Sequence, residues 1–88
     1  MTNEQITKKV LEILKGYVKD VFLLEKATAE TNIFKNLNIN SARIVDIIIK
    51  CEDAFGISID DDEADKISTI GDVVLLIQQK AAVKLREI

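Results

Sequence analysis

A single cysteine, Cys51, stands in a chain of 88 residues. One cysteine makes no internal disulfide, and a thiolate zinc site needs several such ligands. The fold must therefore rest on its apolar core. Hydrophobic residues make up 48% of the chain and charged residues 31%, as in ordinary globular domains. We expect residues 1–88 to form a single domain with a modest free energy of unfolding.

The chain contains no histidine. This excludes Ser-His and Cys-His catalytic pairs and imidazole metal ligands. A domain this small also offers little room for a deep, dry active site, so we predict that the protein is not an enzyme and holds no metal. The net charge of -3 disfavours nucleic-acid binding, which depends largely on neutralising phosphates.

No apolar run approaches the roughly 18 residues that cross a bilayer, so we predict no membrane insertion. The first residues, Met-Thr-Asn-Glu-Gln, lack the basic and apolar segments of a secretory signal. We therefore expect a monomeric protein of the cytoplasm.

Apolar residues recur at steps of three and four in three segments, which predicts three long helices. The first covers residues 3–21. The second, residues 41–54, is ambiguous because its many β-branched residues also suit a strand; its length and the cap residues before it favour a helix. The last starts at Thr69, where Asp72 forms a capping-box variant, and extends towards residue 88.

The connecting segments complete the predicted fold. Residues 25–40, rich in Thr and Asn, predict a long loop whose apolar residues pack against the core, and such loops are often functional. Gly56 is expected to end the second helix. Five acidic residues lie between residues 60 and 65, at a predicted short helical turn. Their spacing differs from that of an EF-hand cation site, and we expect them instead to compensate the dipole of the turn. We predict an all-α fold: a small four-helix bundle with three long helices, one short helix and a long loop after the first.

Residues 37–67 read LNINSARIVDIIIKCEDAFGISIDDDEADKI. This run resembles the acyl carrier protein family without a gap. The family shows a Leu-Gly-x-Asp-Ser-Leu segment, an apolar helix, a Glu-Glu-x-Phe-Gly ending and an Ile-x-Ile-x-Asp-x-x-Ala-x-x-Ile segment. Residues 68–74 continue as the family's last helix usually begins, and the N-terminal part fits less specifically.

The resemblance implies a stand-alone (type II) acyl carrier. It also implies a covalent 4'-phosphopantetheine arm on Ser41, with Asn40 and Ala42 as the flanking residues of the attachment motif. The arm holds acyl groups as thioesters in fatty acid, lipid or specialised metabolite biosynthesis. The implied partners are a phosphopantetheinyl transferase and acyl-transferring and acyl-modifying enzymes. A phosphodiester at a helix N-terminus is physically favourable. The local sequence alone favours a simple N-cap role for Ser41 or Asn40, and it is the longer family pattern that favours attachment at Ser41.

The chain departs from the family pattern beside the serine. Asn40 replaces the usual Asp and Ala42 the usual Leu, while Arg43 and Lys50 stand where acidic or neutral residues are common. Family carriers usually present an acidic second helix to a basic patch on their partners. We therefore hypothesise a specialised carrier with dedicated partners. The residues expected to dock partners are Arg43, Asp46, Lys50, Glu52 and Asp53.

The resemblance also implies an interior that opens to shelter an acyl chain, although the same residues suit simple core packing. Cys51 lies on the apolar stripe and is predicted to be a buried filler rather than a nucleophile. The residues expected to line the acyl site are Val45, Ile48, Ile49, Ile59, Ile67 and Val74.

Two alternative functions stay open on the sequence. Aminoacyl and peptidyl carriers typically show a Gly-Gly-x-Ser-Leu core, from which residues 37–41 depart. The other alternative is an unmodified helical protein-interaction module that has kept the carrier scaffold. The altered Asn40 and Ala42 are its main support.

Overall fold

The computed structural model describes residues 2–86, with side chains described over residues 2–81. Its helices, in chain order, are α1 (Asn3–Leu14), α2 (Phe22–Glu25), a 3₁₀ turn (Ser41–Arg43), α3 (Ile44–Phe55), α4 (Asp61–Asp65) and α5 (Ile70–Arg86). Within the described residues the only β pairing is an isolated antiparallel bridge between Asn32 and Thr69. The predicted all-α architecture with three long helices is confirmed, and the short helix α2 is an addition to it.

Helix α1 begins at a complete capping box. The Thr2 hydroxyl accepts a hydrogen bond from the Gln5 amide at 3.1 Å, and the Thr2 amide donates to Gln5 Oε1 at 2.8 Å. These two bonds satisfy backbone donors that the first helical turn leaves unpaired. The helix buries Ile6, Val10 and Leu14 against the bundle.

The prediction that the first helix reaches residue 21 is wrong beyond Leu14. Gly16, which favours a helix poorly, lies in the turn that follows, and its amide bonds to the Ile13 carbonyl. Asp20 then accepts a hydrogen bond from the Phe22 amide at 3.0 Å and so starts the separate helix α2. Val21, placed on the buried stripe by its spacing, is exposed. Two local signals, a glycine and an Asx turn, override the apolar periodicity here.

Residues 44–55 form a helix despite their β-branched side chains. Ile47, Ile48 and Cys51 are buried on one face, so the helical stripe rather than a two-residue alternation decides the structure. Gly56 ends α3 in the left-handed conformation, with φ 63°, as predicted.

The long loop after α2 packs against the core, as its apolar content predicts, and it is also tied to the start of α5. The Ile33 amide donates to the Ser68 carbonyl at 2.8 Å, and the Ile70 amide donates to the Thr31 carbonyl at 3.0 Å. Ile33, Leu37 and Ile39 are buried, while Phe34 packs partly against the core.

Helices α1, α3 and α5 pack around one core, with α1 in contact with both α3 and α5. The described core contains no buried polar or charged residue, so its stability comes from apolar burial. Its members are Ile6, Val10, Leu14, Ile33, Leu37, Ile39, Ile47, Ile48, Cys51, Ile59, Ile67, Ile70, Val73, Val74 and Ile77.

Candidate functional site

Ser41 is exposed at the first position of the 3₁₀ turn that leads into α3. The N-cap of this turn is Asn40, whose side-chain oxygen accepts a hydrogen bond from the Ala42 amide at 2.9 Å. Of the two residues that the sequence offers as the N-cap, Asn40 forms it, and the Ser41 hydroxyl takes no part in it. The structure therefore leaves this hydroxyl accessible at the positive end of a helix.

The exposed face of α3 carries two apolar side chains between charged ones. Val45 is 62% exposed and Ile49 is 49% exposed. Arg43 and Asp46 form an exposed ion pair at 3.5 Å. This face is therefore an apolar strip with nearly balanced charge rather than an acidic surface.

Lys50 lies on the same face and interacts with the turn that follows α1. Its ammonium nitrogen stands 5.5 Å from the centroid of the Tyr17 ring, within the range of a cation–π contact. Asp53 is exposed one turn further along. The structure thus brings Arg43, Asp46, Lys50 and Asp53 to the surface of one helix.

Glu52 differs from the other predicted docking residues. It is half-buried, and its carboxylate accepts a hydrogen bond from the Ile59 amide at 2.9 Å. This bond holds the connection after Gly56 against α3. The Glu52 carboxylate is therefore engaged within the fold, whereas the other four residues predicted to dock partners are exposed.

A groove of about 460 Å³ lies between α3 and α4. This volume falls within the range of about 300–1,000 Å³ that is usual for ligand sites. Four of the six residues expected at an acyl site line it: Val45, Ile48, Ile49 and Ile59. Three acidic residues also border the groove: Glu52, Asp61 and Asp65.

The other two expected lining residues lie outside this groove. Ile67 and Val74 are buried and border two other surface depressions next to α5. Sequence reasoning missed Ile44 and Ala64, which line the groove from α3 and α4. Ala64 follows three acids on α4, and its place on the groove wall depends on how that short helix packs.

Cys51 is fully buried in the core, as predicted. Burial, reinforced by the neighbouring Glu52 charge, raises the pKa of its thiol to about 11. A neutral, buried thiol is a poor nucleophile. Cys51 is therefore a structural residue of the core rather than a reactive group of the site.

Comparison with known proteins connects this geometry to a family. The family model described as "Phosphopantetheine attachment site" matches residues 9–77. An acyl carrier protein of Lactobacillus acidophilus is 39% identical over 80 residues, which cover 89% of this chain and 95% of the relative. The chain belongs to the acyl carrier protein family.

Further relatives agree with this assignment. An acyl carrier protein of Exiguobacterium sp. is 37% identical, and the match covers 91% of this chain and 99% of the relative. The solved structure of the acyl carrier protein from Enterococcus faecalis is 31% identical and superposes with a TM-score of 0.76, covering 91% of this chain and 99% of that one. Sequence and fold therefore give the same family.

Family membership confirms four predictions from the sequence: the resemblance, the acyl carrier function, the 4'-phosphopantetheine cofactor and the absence of catalysis by the chain itself. Acyl carrier proteins work with a phosphopantetheinyl transferase and with enzymes that handle acyl groups. Among residues 2–86, no helix combines the length and apolarity needed to cross a bilayer.

The residues present fit a phosphodiester on two grounds. Ser41 is exposed and its hydroxyl is not needed for the cap. It also stands at the head of a continuous helical run from residue 41 to residue 55, whose dipole favours an anion. The cofactor supplies the thiol that holds an acyl group as a thioester, and the chain's own residues present it.

Proposed function

We propose that Ser41 is the residue that carries the 4'-phosphopantetheine arm of this acyl carrier. The observation that supports it best is that the Asn40 side chain caps the start of the helix, which leaves the Ser41 side chain exposed. In the loading step, Ser41 Oγ forms a bond to the phosphorus that bears the pantetheine in coenzyme A. The bond from that phosphorus to the adenosine bisphosphate breaks, and the hydroxyl proton leaves to solvent or base.

We further propose that the groove between α3 and α4 shelters the acyl chain. Its walls combine the buried side chains of Ile48 and Ile59 with the exposed ones of Val45 and Ile49. An acyl chain lying there would cover apolar surface that is now open to water, which stabilises the loaded state by the hydrophobic effect. Ile67 and Val74 would join the lining only if the groove deepened towards the core.

We also propose that this is a specialised carrier with dedicated partners rather than a general carrier of fatty acid synthesis. Arg43 and Lys50 offset the acids on the exposed face of α3. A partner surface built to attract an acidic helix gains less from this balanced face. The complementary partner presents an apolar strip with at least one carboxylate opposite Lys50. We place its work in the cytoplasm, in lipid or specialised metabolite synthesis.

The attachment proposal is tested by intact-mass measurement after treatment with coenzyme A and a broad phosphopantetheinyl transferase. The wild type should gain the mass of one phosphopantetheine group, and Ser41→Ala should gain none. Ser58→Ala is the matched control, because Ser58 is also exposed but follows the end of α3. A mass gain in Ser41→Ala, or none in the wild type, would contradict the proposal.

The partner proposal is tested by comparing elongation by general fatty-acid enzymes on this carrier and on a general acyl carrier protein. We expect the wild type to be elongated poorly. The double variant Arg43→Asp, Lys50→Ala should be elongated faster, since it makes the exposed face of α3 acidic. Normal elongation of the wild type would remove the idea of dedicated partners.

A further inference from the structure

We propose that the ion pair between Lys80 and Glu63 limits how far the groove between α3 and α4 opens, and so sets the longest acyl chain that it admits. Lys80 and Glu63 are thus positioning residues, which act through α4 without touching the cargo. The inference rests on the proposed acyl groove and is tested so that the two are separable.

Helix α4 depends on its neighbours for its position. It contains only five residues, Asp61–Asp65, and an isolated helix of that length is unstable in water. Its N-terminus is held by a hydrogen bond from the Asp60 amide to Glu63 Oε1 at 3.0 Å. Whatever holds Glu63 therefore also holds the start of α4.

Lys80 holds Glu63 from α5. Its ammonium nitrogen lies 2.8 Å from the same oxygen, Glu63 Oε1. The two side chains are only 28% and 29% exposed, whereas those of the Lys9–Glu12 and Arg43–Asp46 pairs are 45–71% exposed. Among the described side chains, it is also the only ion pair that joins two different helices. A shorter and more sheltered pair is screened less by solvent and salt.

The ion pair shifts the pKa values of both groups. The hydrogen bond between the two groups is the largest cause that lowers the pKa of Glu63 and raises the pKa of Lys80. Both groups therefore stay charged over the whole neutral range.

The ion pair and the groove lie on different faces of α4. Asp61, Ala64 and Asp65 line the groove. Glu63 instead borders a depression of about 280 Å³ on the α5 side, together with Leu75, Leu76 and Gln79. The pair therefore holds α4, one wall of the groove, from the side that faces α5.

The opposite wall of the groove has little freedom. Helix α3 is fixed by Ile47, Ile48 and Cys51, all buried in the core, and a close-packed core resists displacement. Widening the groove must therefore move α4, and the Lys80–Glu63 pair restrains that movement. Removing the pair should let α4 shift and let longer acyl chains enter.

The test uses Lys80→Met, which keeps the length of the side chain and removes its charge. Glu63→Gln is a second variant, because its amide oxygen can still accept the hydrogen bond from Asp60. Lys9→Met is the matched control, since it removes a lysine from an exposed ion pair on α1. In the unloaded proteins, amide hydrogen exchange over residues 61–65 should accelerate several-fold in the first two variants and stay unchanged in the control.

The second readout is the gain in thermal midpoint on loading short, medium and long saturated acyl groups. In the wild type this gain should stop growing at a certain chain length. In Lys80→Met and Glu63→Gln it should continue to longer chains by at least one ethylene unit. Unchanged exchange, or the same limiting length in all proteins, would overturn the inference. If no acyl group raises the thermal midpoint of the wild type, the proposal that this groove holds the acyl chain is wrong. The hydrogen exchange of the unloaded proteins then tests only whether the ion pair holds α4.

Discussion

Gly71 lies so close to Ala29 that a methyl group at position 71 would come within 2.8 Å of the Ala29 carbonyl oxygen. The Gly71 amide donates a hydrogen bond to that same oxygen, also at 2.8 Å. The contact joins the first turn of α5 to the long loop that leads to Ser41. A side chain here would push the loop away from the helix.

We therefore expect Gly71→Ala to lower the free energy of unfolding by about 1–3 kcal/mol, because the new methyl group overpacks against backbone. Urea denaturation measures the effect. Gly16→Ala is the control, since its methyl group would meet only the Ile13 carbonyl oxygen at an ordinary 3.6 Å. Equal stability of the two variants would show that the loop yields freely at Ala29.

Asp72 should matter for stability in a pH-dependent way. Its Oδ2 accepts hydrogen bonds from the Ser68 amide at 3.0 Å, the Ser68 hydroxyl at 3.1 Å and the Thr69 amide at 3.0 Å. These bonds, led by that of the Thr69 amide, lower the pKa of Asp72 below its ordinary 3.8. We expect Asp72→Ala to cost about 1–2 kcal/mol at neutral pH, as lost cap interactions do.

The sign of the pH dependence follows from the lowered pKa. The stabilisation by Asp72 is complete above its ordinary value of 3.8 and is lost as the pH falls through the lowered one. The difference in stability between wild type and Asp72→Ala should therefore shrink in acid. Asp53→Ala, which removes an exposed acid, should cost little at any pH. A difference that persisted in strong acid would assign the effect to packing instead.

Cys51 should react slowly with alkylating reagents in the native protein at neutral pH and rapidly in urea, because its thiol is buried and its pKa is raised to about 11. The unfolded chain loses this proton near 9.0, before the folded one does. Stability should thus fall as the pH rises from about 9 to about 11. The fall should be smaller in Cys51→Ala, and an identical fall in both proteins would contradict the assignment.

Asn40→Asp should keep the cap and restore the acid that the family usually has before the serine. The carboxylate can accept the hydrogen bond from the Ala42 amide that Asn40 now accepts, so stability should change by less than about 0.5 kcal/mol. Loading by a general phosphopantetheinyl transferase should become faster. Asn40→Ala, which removes the cap, should instead cost about 0.5–2 kcal/mol. Equal loading rates of the wild type and Asn40→Asp would show that the charge is not used.

Local signals along the chain predicted most of the helix boundaries. Thr69 and Asp72 bond to each other at the start of α5, and Gly56 ends α3, because caps involve residues within a few positions of one another. The apolar spacing continues across the turn after Leu14 and so predicts too long a first helix, although Gly16 and Asp20 mark the break.

The sequence by itself determined the helical fold, the family and the position of a serine at a helix start, because these depend on spacing, caps and a continuous motif of 31 residues. Only the tertiary structure decided which helix face is free. It turned Glu52 inwards to the Ile59 amide, built the groove from α3 and α4 and joined Lys80 to Glu63 across 17 positions of chain. Such contacts are set by the packing of distant segments around the core, which no local pattern of residues encodes.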